Sequence, residues 1–211
     1  MNTKYLLFLS FLFIFSCENK SRTQAPEAIE NPKPKHSTPT ISFKEFMKKE
    51  IQYVAPNMDF VKKRIKEVEL EDDEERSEQQ LAAVKLLTMA KESYAMKNYN
   101  NCISYAAQIP LSNALFSPAQ YLIAYSFFHN QSYERAVEIF QGISQNKDFF
   151  KEMDREEAAY MHVLAQYNFF EKSKDEFQKN NLENAIKFYL SSFHNNDFTF
   201  FNNVKIIKEN M

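Results

Sequence analysis

Apolar residues recur at helical spacing through most of the chain. Phe43, Phe46, Met47, Ile51 and Val54 share one face of a helix, and beyond the break at Pro56 so do Met58, Val61, Ile65 and Val68. They predict a leading helical pair within residues 41–76. Further on, Leu86, Met89 and Ala90 fall on a first predicted helix and Tyr99, Cys102, Ala106 and Ile109 on a second. Ala124 and Phe127, followed by Tyr133, Ala136, Phe140 and Ile143, repeat the arrangement, with Tyr99 and Tyr133 separated by 34 residues. A third unit carries Met161, Leu164 and Ala165, then Leu182, Ala185 and Tyr189. It needs about seven extra residues before it and about eight between its halves, so its first helix should overrun by roughly two turns. Phe198, Phe201, Val204 and Ile207 predict a closing helix within Asn196 to Met211. The fold class expected is all-α: a short array of antiparallel helix pairs over residues 77–211.

Helix starts are marked by capping boxes, in which a short polar side chain caps the first turn and an acid or amide three residues later caps it back. Four such pairs are Ser42 with Glu45, Ser77 with Gln80, Ser117 with Gln120 and Asp154 with Glu157. Pro118 strengthens the third, because a helix's first position needs no N–H.

The pattern changes ahead of residue 41. One positive charge, Lys4, precedes an apolar run from Tyr5 to Phe15 broken only by Ser10. As a helix this run would reach about 16 Å, roughly half of a hydrocarbon core, so residues 1–16 read as a cleaved secretion signal rather than a span. From Glu18 to Thr40 no apolar period survives, and prolines stand at 26, 32, 34 and 39. That composition predicts a disordered tether with a coil span of roughly 26 Å.

Composition narrows the function classes. The 211 residues include a single glycine, Gly142, whereas strands, hairpins and phosphate loops lean on glycine. A net charge of -2 gives no basic footprint for nucleic acid. The charge-dense stretches Lys62 to Lys66 and Glu69 to Arg76 read as a salt-bridged solvated face. His36, His129, His162 and His194 show no metal-ligand spacing, and no nucleophile elbow or glycine-rich loop occurs. Glu156 and Glu157 sit at a helix start, where they suit the dipole. No catalysis, cofactor, metal or small-molecule substrate is therefore expected. Aromatic residues, at 15%, exceed the needs of a small helical core and point to a recognition surface.

Ile14-Phe15-Ser16-Cys17 resembles the bacterial lipobox, departing from it in the bulk of Phe15. The resemblance implies lipidation of Cys17, a new N-terminus there, and residues 17–40 as a lipidated linker. Several acyl chains, at about 0.8 kcal/mol per buried methylene, would give stable attachment. With Cys17 so used, Cys102 has no disulfide partner.

The two 34-spaced segments resemble the tetratricopeptide repeat, with Ala90, Cys102, Ala106, Ala124 and Ala136 as the small residues where helices cross. The resemblance covers about Ser77 to Phe193, on a motif degenerate enough to be shared with other helix-pair repeats. It implies a concave groove lined by the first helices that takes a peptide or partner helix. Its residues here would be Leu87, Lys91 and Tyr94, then Tyr121, Tyr125, Phe128 and His129, then His162, Gln166 and Phe169. The carboxylate-gripping form of the family uses several basic groove residues. Lys91 alone is basic here, so capture of a C-terminus is not expected.

The function implied is an envelope lipoprotein on the periplasmic side of the outer membrane, holding another envelope protein or peptide segment. A narrower version is a component of the outer-membrane protein assembly machinery, which includes a tetratricopeptide lipoprotein. A different class is a glycan- or lipid-binding accessory protein. Binding to purified glycan or lipid, with no protein captured, separates that class from the others.

Overall fold

Lys97, Gln131 and Lys174 take positive φ of 60°, 59° and 58°, and at each the chain reverses between two helices. A computed structural model describes residues 42–53, 55–69, 78–147, 150–194 and 198–211, with backbone alone at 51–53, 152 and 153. These residues lie in the compact unit Ile41–Met211. They form α1 (Phe43–Tyr53), α2 (Met58–Glu69), α3 (Glu78–Ala95), α4 (Tyr99–Ala106), α5 (Phe116–His129), α6 (Tyr133–Gln145), α7 (Glu152–Ser173), α8 (Glu176–Ser192) and α9 (Phe201–Glu209). Among the described residues there is no strand, and they are all-α. The signal segment, Cys17, the tether, Val54 and the Ser77 cap lie outside the described residues.

The reversals share one mechanism. After α3, Lys97 N–H donates to Tyr94 O at 2.8 Å and Asn98 N–H to Ser93 O at 2.8 Å. After α5, Gln131 N–H donates to Phe128 O at 3.0 Å and Ser132 N–H to Phe127 O at 2.9 Å. The second bond in each pair reaches back five residues, as in a Schellman closure, which satisfies carbonyls left open at the helix end. After α7 a single bond, Lys174 N–H to Phe170 O at 2.7 Å, does the same work. The next residue is the N-cap of the following helix. Asn98 accepts from Asn101 N–H at 3.3 Å, and Asp175 accepts from Gln178 N–H at 2.7 Å. A non-glycine residue in the left-handed region costs roughly 1–2 kcal/mol, so these turns persist because packing on both sides over-determines them.

Three hairpins follow, α3–α4, α5–α6 and α7–α8, and each helix packs on the next through to α9. Close approach of the axes rests on small residues. Ala90, Cys102, Ala106, Ala124, Ala136 and Ala165 are all buried, and burial pushes the Cys102 thiol up to about 11. At 22 residues, α7 exceeds the 14-residue α5 by eight, about two turns. The middle helix is enclosed on every side: Ser117 to Ala119, Tyr121 to Ser126 and Phe128 are buried. Side chains such as Leu122 and Tyr125 each contribute roughly 1.5–3 kcal/mol by leaving water.

The leading pair packs against this array. Phe43 meets the Tyr167 ring of α7 edge-on, with centroids 6.0 Å apart, and Phe60 of α2 meets Tyr121 of α5 at 5.6 Å. Met47, Val61, Ile65 and Val68 are buried in the contact. On its outer side α2 carries the exposed pairs Lys62–Asp59 and Arg64–Glu67, at 3.1 and 2.8 Å. Phe201, Val204 and Ile207 seat the closing helix α9.

The helix starts need correction in two places. Ser42 and Glu45 form the full reciprocal box, with Glu45 N–H to Ser42 Oγ at 3.3 Å and Ser42 N–H to Glu45 Oε2 at 3.1 Å. Ser117, however, is buried inside α5, which begins one residue earlier at Phe116. Asn113 initiates it, accepting Leu115 N–H on its side chain at 2.9 Å and Phe116 N–H on its carbonyl at 3.0 Å. Pro118 still falls in the first turn, where no N–H is needed. Asp154 likewise lies inside α7, two residues past its start at Glu152, and the Glu157 carboxylate is engaged elsewhere.

Candidate functional site

The ten residues expected to share one groove fall into three separate settings, apart from Leu87, which is fully buried in α3, and Lys91, which is half-buried there.

Tyr121 and Tyr125 stand one turn apart on α5, fully buried. Both hydroxyls donate to Oε1 of Glu157 on α7, and Tyr121 Oη accepts the Asn57 N–H at 2.6 Å. These tyrosines are core. The entry of α2 covers Tyr121, and the Phe140 ring closes on Tyr125 edge-on at 5.1 Å. Burial raises the Glu157 carboxyl above its ordinary value, while the two tyrosine hydrogen bonds pull it back. Both tyrosine hydroxyls are held far above their usual range, first by burial and then by the neighbouring anion for Tyr121.

Similar grips recur along α7. Glu156, buried, accepts from the Tyr189 hydroxyl and from Phe200 N–H at 2.9 Å. Glu50 of α1 accepts from the Tyr160 hydroxyl at 3.0 Å and from Asn203 Nδ2 of α9 at 3.1 Å. Carboxylates removed from water need such donors. Glu156 and Glu157 are thus structural anchors rather than dipole complements. Their one legible signal is position: two acids run directly into Ala158, Ala159 and Tyr160, a stretch that is buried throughout.

Phe128, His129, Tyr94 and Phe169 lie along the edge formed by the hairpin turns. The His129 ring stacks on Tyr99 at 5.0 Å and meets Tyr94 at 5.8 Å and Phe128 at 5.7 Å. Phe128, buried, contacts Tyr133 at 5.7 Å. Tyr133 and Phe169 then line one open hollow of about 450 Å³, together with Gln131 and Lys172. Burial, and after it the charge of Lys97, lowers the His129 pKa. Tyr94, Tyr99, His129, Tyr133 and Phe169 are half-buried, each with part of its ring toward solvent.

His162 and Gln166 face a third place, a polar cleft between α6 and α8. Gln166 is fixed by a hydrogen bond from its Nε2 to Gln178 Oε1 at 2.7 Å. Burial holds His162 at about 4, hence neutral at ordinary pH.

Among the described residues no three His, Cys, Asp or Glu side chains are placed to hold a metal ion. Nor, among them, is any helix long and apolar enough to cross a membrane. Compared with protein-family models, with curated proteins and with solved structures, the chain matches none of them.

Proposed function

We propose that this chain is a lipid-anchored envelope scaffold of tetratricopeptide type, which holds a segment of another protein along the edge of its hairpin turns. One observation carries the reading: half-buried aromatic side chains continue across three successive hairpins, from Tyr94 and Tyr99 through His129 and Tyr133 to Phe169. Rings that are packed on one side and wet on the other suit anchoring of a polypeptide, because they are already ordered and lose little freedom on binding. The buried Tyr121, Tyr125 and Phe128 do not belong to that surface; they support it from beneath. The tetratricopeptide reading draws on the three hairpins, neighbour-to-neighbour packing and small residues at each crossing. The anchor draws on the apolar run ending in Ser16-Cys17 and the proline-bearing stretch after it.

Two measurements test the halves separately. Labelled palmitate should enter the wild-type chain and not Cys17→Ser, and a wild-type chain that takes up no label removes the anchor. A photo-crosslinking amino acid at Tyr99 or Phe169, used in intact cells, should capture one common protein that the same group at the exposed, remote Leu81 does not. Identical captures from all three positions, or none from the first two, would remove the scaffold.

A further inference from the structure

The cleft beside His162 has a chemistry unlike the aromatic edge. Its walls are α6 and α8, which both pack on α7, and α7 forms the floor. Into a volume of about 300 Å³ project Gln141 and Gln145 from α6, His162 and Gln166 from α7, and Asn181 and Asn184 from α8. None of these carries a charge at neutral pH, given the depressed pKa of His162. A carboxamide carries both donors and an acceptor; of the five, Gln166 commits its Nε2 to Gln178 and leaves its oxygen, and Asn181 gives one N–H to Gln178 Oε1 at 3.3 Å. His162 is only 7% exposed, and its Nδ1 has no hydrogen-bond partner among the described residues, an uncommon state for a buried polar atom. Phe188 gives the cleft one apolar face.

Phe188 and Gln145 also line an adjoining lobe of about 320 Å³, where Lys147 and Arg155 join Ser144 and Ser192. The Arg155 Nε is buried without a hydrogen-bond partner. Two lobes therefore meet at one aromatic ring: a neutral amide lobe and a cationic lobe.

We propose that this cleft binds an acidic oligosaccharide, with neutral hydroxyl-rich sugar over the carboxamides and His162, a pyranose face on Phe188, and a carboxylate or phosphate at Arg155 and Lys147. Alternating donors and acceptors match sugar hydroxyls, which are both at once. The neutral lobe penalises a charged ligand there by desolvation, while the basic lobe rewards one acidic group. An extended peptide fits less well. Peptide grooves select their ligand through repeated pockets for alternate side chains, and here Phe188 is the one ring that both short lobes share, the Phe193 beside it being buried. The site is separate from the turn edge and does not rest on the scaffold reading.

The test is titration of the full-length chain, followed by calorimetry and amide chemical shifts, with three acidic probes: tetragalacturonate, a hyaluronan tetrasaccharide and a muramyl peptide. Maltotetraose serves as the neutral control. At least one acidic probe should bind and shift the amides of α6 and α8. Gln141→Ala with Asn184→Ala, at two exposed positions, should weaken it tenfold or more with thermal stability unchanged. Asn184→Trp, which fills the cleft, should abolish binding. Lys147→Gln with Arg155→Gln should erase the preference over maltotetraose. The proposal is overturned if no acidic probe binds, if binding survives Asn184→Trp, or if a short peptide displaces the saccharide from the cleft.

Discussion

The Tyr121 hydroxyl donates to the Glu157 carboxylate on α7 and at the same time accepts the Asn57 N–H that precedes α2. One oxygen atom therefore joins three parts of the chain, and the packing of the leading pair depends on it. Replacing Tyr121 by Phe keeps the ring but strands a backbone donor and leaves Glu157 one donor short. The expected loss is about 1–3 kcal/mol in urea unfolding. Tyr125→Phe removes a single donor and should cost less than Tyr121→Phe. Equal losses would show that the Asn57 bond contributes nothing.

Truncation is a harsher change. Tyr121, Tyr125 and Phe128 changed together to Ala would empty the centre of the array, and single aromatic truncations of this kind cost about 3–5 kcal/mol. The triple variant should fail to fold, as read by lost helical circular dichroism. A variant that retains the wild-type Tm would place these rings outside the core.

Acid acts on the fold in two opposed ways. Burial holds His162 at about 4, below its ordinary 6.5, so its neutral form stabilises the fold above 6.5 and that stability is lost as pH falls toward 4. The span corresponds to no more than about 3 kcal/mol. His162→Gln should therefore flatten the decline in Tm over this range. Glu157 has the reverse sign. Burial raises its pKa above the ordinary 4.5, so its contribution is fully present below 4.5 and is lost as pH rises through the folded value. Glu157→Gln should remove that upper loss, and Tm profiles of the two variants against wild type should diverge in opposite directions.

Gln131 occupies the left-handed turn between α5 and α6 with its side chain exposed. Glycine relieves the steric cost there and gives part of the gain back as unfolded-chain entropy. Gln131→Gly should raise stability by about 0.5–1 kcal/mol in urea unfolding. A loss would mean that the Gln131 side chain makes a contribution larger than the strain.

Much of the architecture was legible from residues alone. The 34-residue offset between Tyr99 and Tyr133 falls at the first residue of α4 and of α6, and Phe201, Val204 and Ile207 face inward from a closing helix. The turns were not legible, because the chain places Lys and Gln where glycine is the usual signal. The expected groove failed for a different reason. From Phe116 to His129 the middle helix has no continuous polar face, so periodicity could not mark a solvent side, and none of its residues is fully exposed. Nor could spacing show that α1 and α2 pack onto Tyr121 and Tyr167. The polar cleft draws on Gln141 and Asn184, 43 residues apart, and scattered carboxamides carry no local pattern.

Glu50 accepts from Tyr160 and from Asn203, 110 and 153 residues away. Helix-pair arrays ordinarily tolerate gain or loss of a unit, because each contacts only its neighbours. Here a duplicated hairpin inserted between α5 and α9 would carry Asn203 away by the thickness of further helix layers, about 8–10 Å each, and break the bridge to Glu50. The bridge between the leading and the closing helix therefore fixes the number of hairpins between them, and relatives that carry it should differ from this chain by substitution and loop change rather than by repeat number.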